Sequence, residues 1–550
     1  MMKNPILRGF CPDPSIIKVK GDYYIATSTF EWWPGVRLFH STDLEHWEQI
    51  ASPLRRTSQM DLRGVPCGGG IWAPCLSYDG EWFYLVYTIV TTKKGPNYNT
   101  HNYVVRTKDI RGDWSDPVCL NSVGFDPSLF HDTDGRKYLI NMVNGFKGIM
   151  VTEYDADKGK LVGSPHRVYR GTGRRCTEGP HMYHIGDYYY ILTAEGGTGY
   201  THCETVARSK NIYGPYEVMP GEVLITADEA DDRVDKPELY KCGHADILKL
   251  DDGRWVLVFL CSRSVLSEDG KMYSTLGRET AIEEIIWDND GWPRLKCGGI
   301  LPRRYIETDI SLTGKASASM NDTQVMPTAS IGYDSFCSDR LPDIYVSPRI
   351  SYEDKISLSA RKGYLRMYGR ESLDSLIDVS LIAVRQKEHE AVASVRLEFA
   401  PEYEEQAAGI VYIYDALNYY LLAVTGGRSV YDDTDDGYDD KGLPLQDEKN
   451  RPRRRLRLIH SDMGVITDLT EGLDIPDGTV ELKIETGKDR RITFYYNSIS
   501  LPVYGSMDKI NDEYCRGFTG AQFGLHVQDM TGYGAYADFE PLLISYTDEG

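Results

Sequence analysis

GDYYIATS (21–28), GEWFYLVY (80–87), GRKYLINM (135–142), GDYYYILT (186–193) and GRWVLVFL (253–260) are five versions of one unit. Each is a glycine and a polar residue followed by an aromatic, aliphatic run. They recur at steps of 59, 55, 51 and 67 residues, a mean of 58. A turn glycine ahead of such a run reads as the entry to the second strand of a hairpin. A second echo, STDLEHW (41–47), RTKDIRGDW (106–114) and ARSKNIYGPY (207–216), reads as one outer-strand segment in three of the units. Five units closing radially make a five-bladed β-propeller. An open sandwich of five hairpins is the competing arrangement.

Outside the repeat the pattern changes. The stretch TDISLTGKASASMNDTQ (308–324) is rich in Ser, Thr and Ala without apolar alternation, and reads as a linker. Beyond it the strands lengthen. Leu482 and Ile484, a turn at Gly487-Lys488, then Ile492, Phe494 and Tyr496 make a hairpin with one buried face. GIVYIY (409–414), YYLLAV (419–424) and RLRLIH (455–460) are further strands of this kind. The expected organisation is all-β: a propeller over 1–307, a linker over 308–325 and an antiparallel β-sandwich over 326–550.

Composition narrows the function. The chain of 550 residues is 41% hydrophobic and 26% charged, a globular balance with ample core material. No apolar run approaches the roughly 20 residues of a membrane span. The amino-terminal MMKNPILRGFCPDPS lacks an apolar segment of signal-peptide length. The net charge of −21 argues against nucleic acid or an anionic membrane as partner. Eleven cysteines, scattered singly with no CxxC pair, suit reduced thiols in a cytoplasm. The 39 tyrosines and 9 tryptophans supply rings of the sort that line carbohydrate sites, besides filling cores.

The inner strand of each blade precedes its turn glycine. Aligned, these strands begin CPDPSII (11–17), IWAPCLS (71–77), FDPSLF (125–130), TEGPHMY (177–183) and GHADILK (243–249). Inner strands of a propeller start beside the central channel, so this alignment brings Asp13, Trp72, Asp126, Glu178 and His244 to one place. An isolated Asp-Pro-Ser is an ordinary turn signal. Three acids at equivalent points of one repeat repel one another and resist desolvation, which is costly without a use. Three acids with aromatic rings suit glycosidic-bond hydrolysis. One carboxylic acid donates to the leaving oxygen, one carboxylate acts on the anomeric side, and a third raises the donor's pKa.

Together NPILRGFCPDPS (4–15), GGGIWAP (68–74), FDPSLF, RCTEGPHMY (175–183) and LGRETAI (276–282) resemble glycoside hydrolase family 43, in its β-xylosidase branch, over essentially the whole chain. The resemblance implies a five-bladed propeller with a carboxyl-terminal sandwich, and hydrolysis with inversion. It implies Asp13 as general base, Glu178 as general acid and Asp126 as the acid that tunes and positions Glu178. It implies Trp72, Phe125 and Phe30 as the wall of the terminal-sugar site, with Arg278 binding hydroxyls. His244 joins the substrate site, and the GHAD motif permits a divalent cation, calcium, beside it, although no cofactor is required. The implied substrates are xylo-oligosaccharides or arabinoxylan fragments, cut one xylose at a time from the non-reducing end. Phe518 or Phe523 of GFTGAQFG (517–524) would close the pocket, or both are sandwich core. A homo-oligomer is implied by resemblance alone.

Rivals remain. An α-L-arabinofuranosidase shares the chemistry, and a non-catalytic glycan-binding propeller shares the fold. A retaining enzyme acting on fructosides lacks its WMNDPNG-like start here. DDTDDGYDD (432–440) falls short of an EF-hand loop, with Thr434 third and Leu443 twelfth if Asp432 is first, and reads as a solvated acidic loop. In RPRRRLRL (451–458), Leu456 and Leu458 alternate with arginines as in a half-exposed strand, whose charge offsets the acidic loop before it.

Overall fold

The computed structural model describes residues 2–95, 98–306, 336–430 and 454–547. The linker 308–325, the acidic loop 432–440 and the first three residues of RPRRRLRL lie outside them. Two compact units emerge. One runs to Val265 and resumes at Gly277; the other takes Leu266–Leu276 and the carboxyl-terminal half.

The first unit is a propeller of five four-stranded antiparallel blades, each a meander in chain order. The turn glycines Gly21, Gly80, Gly135, Gly186 and Gly253 all have positive φ, between 60° and 99°. That region is open to glycine at no steric cost, so each glycine sets a tight entry to its second strand. Those second strands are Asp22–Thr27, Phe83–Thr92, Lys137–Val143, Tyr188–Glu195 and Trp255–Ser262. Their apolar runs are continuous because both faces of a blade pack on neighbouring blades. Between blades four and five, Leu192, Val206, Ile247, Leu257, Phe259 and Trp292 share one core. Between blades five and one, Ile16, Ile25, Phe39, Val256, Val258 and Ile282 share another. The outer echo proves to be the exit of each third strand, after Arg37–Ser41, Asn99–Thr107 and Cys203–Ser209, rather than the outermost strand.

The amino-terminal segment laces blade five. Asn4 Nδ2 donates to the carbonyls of Ile282 at 2.8 Å and Arg303 at 2.9 Å, and its Oδ1 accepts from Ile282 N–H. Leu7 and Thr280 exchange backbone hydrogen bonds, and Cys11 N–H donates to the Arg278 carbonyl at 2.9 Å. The start and end of the propeller are thereby joined beside Asp13 and Arg278.

The second unit is a sandwich of an eight-stranded and a seven-stranded antiparallel sheet. The hairpin of Val480–Thr486 and Arg491–Tyr496 pairs Ile484 with Phe494, and Leu482, Ile484, Ile492 and Phe494 are buried. Gln406–Asp415, Asn418–Gly426 and Arg454–Asp462 are consecutive neighbours in the other sheet. Leu456 and Leu458 are buried while Arg455 and Arg457 are half-buried. The arginine charge is met by Asp474, at 3.5 Å from Arg455, and by Glu404, at 2.8 Å from Arg457. None of the eleven cysteines is in a disulfide. Among the described residues no helix is long and apolar enough to cross a membrane.

Candidate active site

Each inner strand opens on the same distortion. The residue before the aligned proline is Asp13, Ala73, Asp126 or Gly179, and in blade five it is His244 before Ala245. All five have left-handed φ: 55°, 34°, 52°, 56° and 52°. Four are not glycines, and a residue before proline is already restricted, so the conformation is strained and must be held by its surroundings. In blades two to five the pairing with the second strand skips at this point, between Trp72 and Cys75, Phe125 and Ser128, Glu178 and His181, and Gly243 and Asp246. These are β-bulges, which re-aim side chains at a barrel rim.

Counting back from the aligned proline corrects the equivalence of these positions. Trp72 and Glu178 are not equivalent to Asp13, Asp126 and His244; they stand one residue earlier, in register with Phe125. Trp72, Phe125 and Glu178 therefore form one tier, and Asp13, Asp126 and His244 the next. The structure brings the three acids within electrostatic reach of one another by drawing on both tiers.

The strained residues are clamped by neighbouring blades. Ser28 Oγ donates to Asp13 Oδ2 at 2.5 Å and accepts Ala73 N–H at 2.8 Å, tying blade one to blade two. Gly179 N–H donates to Asp126 Oδ2 at 2.9 Å, and Ser128 Oγ donates to the Pro180 carbonyl at 2.6 Å, tying blade three to blade four. Ala245 N–H donates to Glu204 at 2.9 Å. A Cβ on Gly179 would come 3.1 Å from the His244 ring, so that ring packs against bare backbone. Ser28 and Ser128 went unremarked in the sequence. The repeated serine of the two Asp-Pro-Ser motifs was the signal for Ser128; nothing local marks Ser28.

All three acids are buried. Burial first, and then the negative charges of Asp126 and Asp13, push the Glu178 carboxyl well above its usual range, against the pull of Arg278. Asp126 is also raised, by burial and by Asp13. The two differ in hydrogen bonding. Asp126 accepts the Gly179 N–H, which favours its anion, whereas no described residue donates to the Glu178 carboxyl. The proton held by this pair belongs on Glu178. Asp13 is oriented by Ser28 and by Arg278, whose Nη1 lies 3.3 Å from Asp13 Oδ1.

His244 Nδ1 stands 3.7 Å from Asp13 Oδ1, and burial lowers its pKa to about 4, leaving a neutral ring. Among the described residues no three His, Cys, Asp or Glu side chains are grouped to hold a metal ion. A neutral imidazole is the form of histidine that can ligate a cation, and Asp13 is the carboxylate beside it.

The aromatic wall is continuous. Phe30 and Trp72 have ring centroids 5.9 Å apart, Trp72 and Phe125 5.3 Å apart, and the Arg278 guanidinium lies 5.5 Å from the Phe30 ring. Phe30 itself is left-handed at 52° and exchanges backbone hydrogen bonds with Ile71. Gly70 makes that approach possible, since a Cβ there would lie 2.2 Å from the Phe30 carbonyl oxygen. Tyr98, absent from the sequence reading, meets both Trp72 and Phe125 at 6.3 and 6.2 Å. In the sandwich, Phe523 is fully buried in its core.

Comparison with known proteins agrees with this architecture. Residues 2–293 match the model of glycosyl hydrolases family 43, and residues 333–543 match that of the beta xylosidase C-terminal concanavalin A-like domain. The chain is 39% identical to a beta-xylosidase of Bacillus subtilis over 98% of both chains. It is 40% identical to xylosidase/arabinosidase 43B of Humicola insolens, over 98% of this chain and 96% of that one. Among solved structures, the xylan beta-1,4-xylosidase of Bacillus halodurans superposes with a TM-score of 0.87 at 38% identity, covering 99% of this chain and all of the other.

Proposed function

Since the chain belongs to glycosyl hydrolases family 43, we propose that it releases xylose from the non-reducing ends of β-1,4-xylo-oligosaccharides with inversion, and acts more slowly on α-L-arabinofuranosides. The observation that carries this reading is the unequal treatment of three neighbouring buried acids. Glu178 is denied donors and holds a proton, while Asp13 and Asp126 are each given them.

Glu178 donates its proton to the glycosidic oxygen as the bond from that oxygen to the anomeric carbon breaks. Asp13 takes a proton from a water on the opposite face, and the oxygen of that water forms the new bond to the anomeric carbon. One proton leaves Glu178 and one arrives on Asp13, and exchange with solvent resets both. Asp126 acts through Glu178: its charge raises the acid's proton affinity, and its bond to Gly179 N–H fixes the backbone beside it. Trp72, Phe125 and Phe30 give the terminal sugar an apolar wall, and Arg278 offers donors to its hydroxyls while holding Asp13. These contacts do not require His244 to be charged.

Xylo-oligosaccharides or arabinoxylan fragments are the partners of this reading. Residence in the cytoplasm, supported by cysteines that form no disulfide, and assembly into a homo-oligomer belong to the same proposal. The test is proton NMR of xylotriose hydrolysis beside rate measurements on nitrophenyl β-xyloside and nitrophenyl α-arabinofuranoside. Xylose appearing first as its α-anomer, with xylobiose as the other product and the xyloside cleaved faster, is the expected result. A β-anomer first, or a new α-anomer that forms on xylobiose instead of on xylose, overturns it.

A further inference from the structure

We propose that the sandwich carries a second, non-catalytic glycan site, a cleft beside Tyr533 and Tyr536 that holds a neutral xylan chain; the identity of that glycan rests on the substrate reading above. The cleft encloses about 620 Å³, within the roughly 300–1,000 Å³ of small-molecule sites. It lies wholly within the second unit, at the ends of the strands Ala391–Phe399 and Tyr536–Phe539.

Two exposed rings frame it. Tyr533 is 67% exposed and Tyr536 46% exposed. Exposed tyrosines are common, but these are held in place. The turn that presents Tyr533 is built on Asp529, whose Oδ2 accepts the N–H groups of Gly534 and Ala535, both at 2.8 Å. Asp529 Oδ1 accepts the N–H and hydroxyl of Thr531. Gln406 Nε2 donates to the Thr531 hydroxyl at 3.2 Å, locking the turn to the sheet. Gly532 and Gly534, on either side of Tyr533, have φ of 75° and 80° that a side chain would strain. Arg366 covers one side of Tyr536, its guanidinium 4.0 Å from the ring centre. Rigid aromatic surfaces bind without paying to be ordered, which is how flat apolar sugar faces are held.

The polar lining selects the ligand. Arg361 donates to both oxygens of Glu398 at 2.9 and 3.0 Å, and Arg366 donates to both oxygens of Asp538 at 2.8 Å. These carboxylates are fixed in place with lone pairs to spare, and Glu402 and Thr479 line the same cleft. An anion would meet three acids here. A cation gains little, because Arg361 and Arg366 already balance Glu398 and Asp538. A neutral polyol with hydroxyl donors and carbon–hydrogen faces satisfies both rings and acceptors.

The experiment uses the full-length chain. Calorimetric titration of Glu178→Ala with xylohexaose should report two sites. Adding Tyr533→Ala or Tyr536→Ala to that chain should weaken one of them roughly tenfold, the loss of a stacking contact. With Glu178 intact, Tyr533→Ala should lose its retardation in gels cast with neutral arabinoxylan, yet turn over nitrophenyl β-xyloside at the parent rate. A single site that Tyr533→Ala and Tyr536→Ala leave unchanged overturns the inference alone. No binding of xylohexaose to any chain overturns it together with the substrate reading.

Discussion

Replacing Asp126 by Asn tests how the site keeps Glu178 protonated. The substitution keeps the shape and keeps an oxygen to accept the Gly179 N–H, but removes one negative charge. Three causes hold the Glu178 carboxyl above its usual range of about 4.3: burial first, then the Asp126 charge, then the Asp13 charge. Asp126→Asn abolishes the second and leaves the other two, so the acid's pKa falls without reaching the usual value. A like charge in a shared buried site raises a carboxyl strongly. Asp13 and Arg278 stay in place with opposing effects, so the net change is downward. In an inverting hydrolase the alkaline limb of kcat/KM reports loss of the acid's proton. Raising pH empties Glu178 earlier in the variant, and that limb moves down by the same amount. On xylobiose, activity above the new limb should fall by roughly 100-fold or more, the usual loss of general-acid catalysis, while activity below it recovers most of the parent value. A nitrophenyl xyloside, whose leaving group needs little protonation, should show a shallower alkaline loss. An alkaline limb that stays in place, or moves up, refutes the assignment of Asp126 as the charge that raises Glu178.

Glu178→Ala should cost far more on xylobiose than on nitrophenyl β-xyloside, measured as kcat/KM, and equal losses would remove Glu178 from the role of acid. Asp13→Ala should slow both substrates alike, by roughly a thousandfold, since activation and placement of the water fail together; near-parent turnover would sink the mechanism. Gly179→Ala combines a φ of 56° with a Cβ 3.1 Å from the His244 ring, so thermal unfolding should show a loss of about 1–2 kcal/mol. Its kcat should also fall on every substrate, because the strand bearing Glu178 must shift; an unaltered melting temperature and kcat would contradict the packing.

The propeller was legible because its signals are local. A turn glycine takes positive φ whatever surrounds it, and the run after it is apolar because each blade is covered on both faces, so the repeat survives any change elsewhere. The three acids and Trp72, Phe125 and His244 were legible for a related reason: each sits close to the start of an inner strand, which the repeat marks. Their register was written in the prolines too: Trp72 and Glu178 stand two residues before Pro74 and Pro180, whereas Asp13 and Asp126 stand one before Pro14 and Pro127. The bulges at the strand starts of blades two to five were not, because only the partner strand reveals them. Left-handed backbone at Asp13, Ala73, Asp126 and His244 is equally invisible, since none is glycine and clamps such as Ser28 are 15 and 45 residues from the atoms they hold. Tyr98 joins the aromatic wall by packing across blades, without any motif. The placement of Leu266–Leu276 in the second unit follows the same rule: Ser274 Oγ donates to Glu513, 239 residues away, and no spacing announces such a bond. The sequence by itself determined which acids and rings stand at the inner strand starts and which strands carry them. Tertiary structure decided which carboxyl keeps the proton, because burial and hydrogen-bond donors are properties of the surroundings and not of the chain's order.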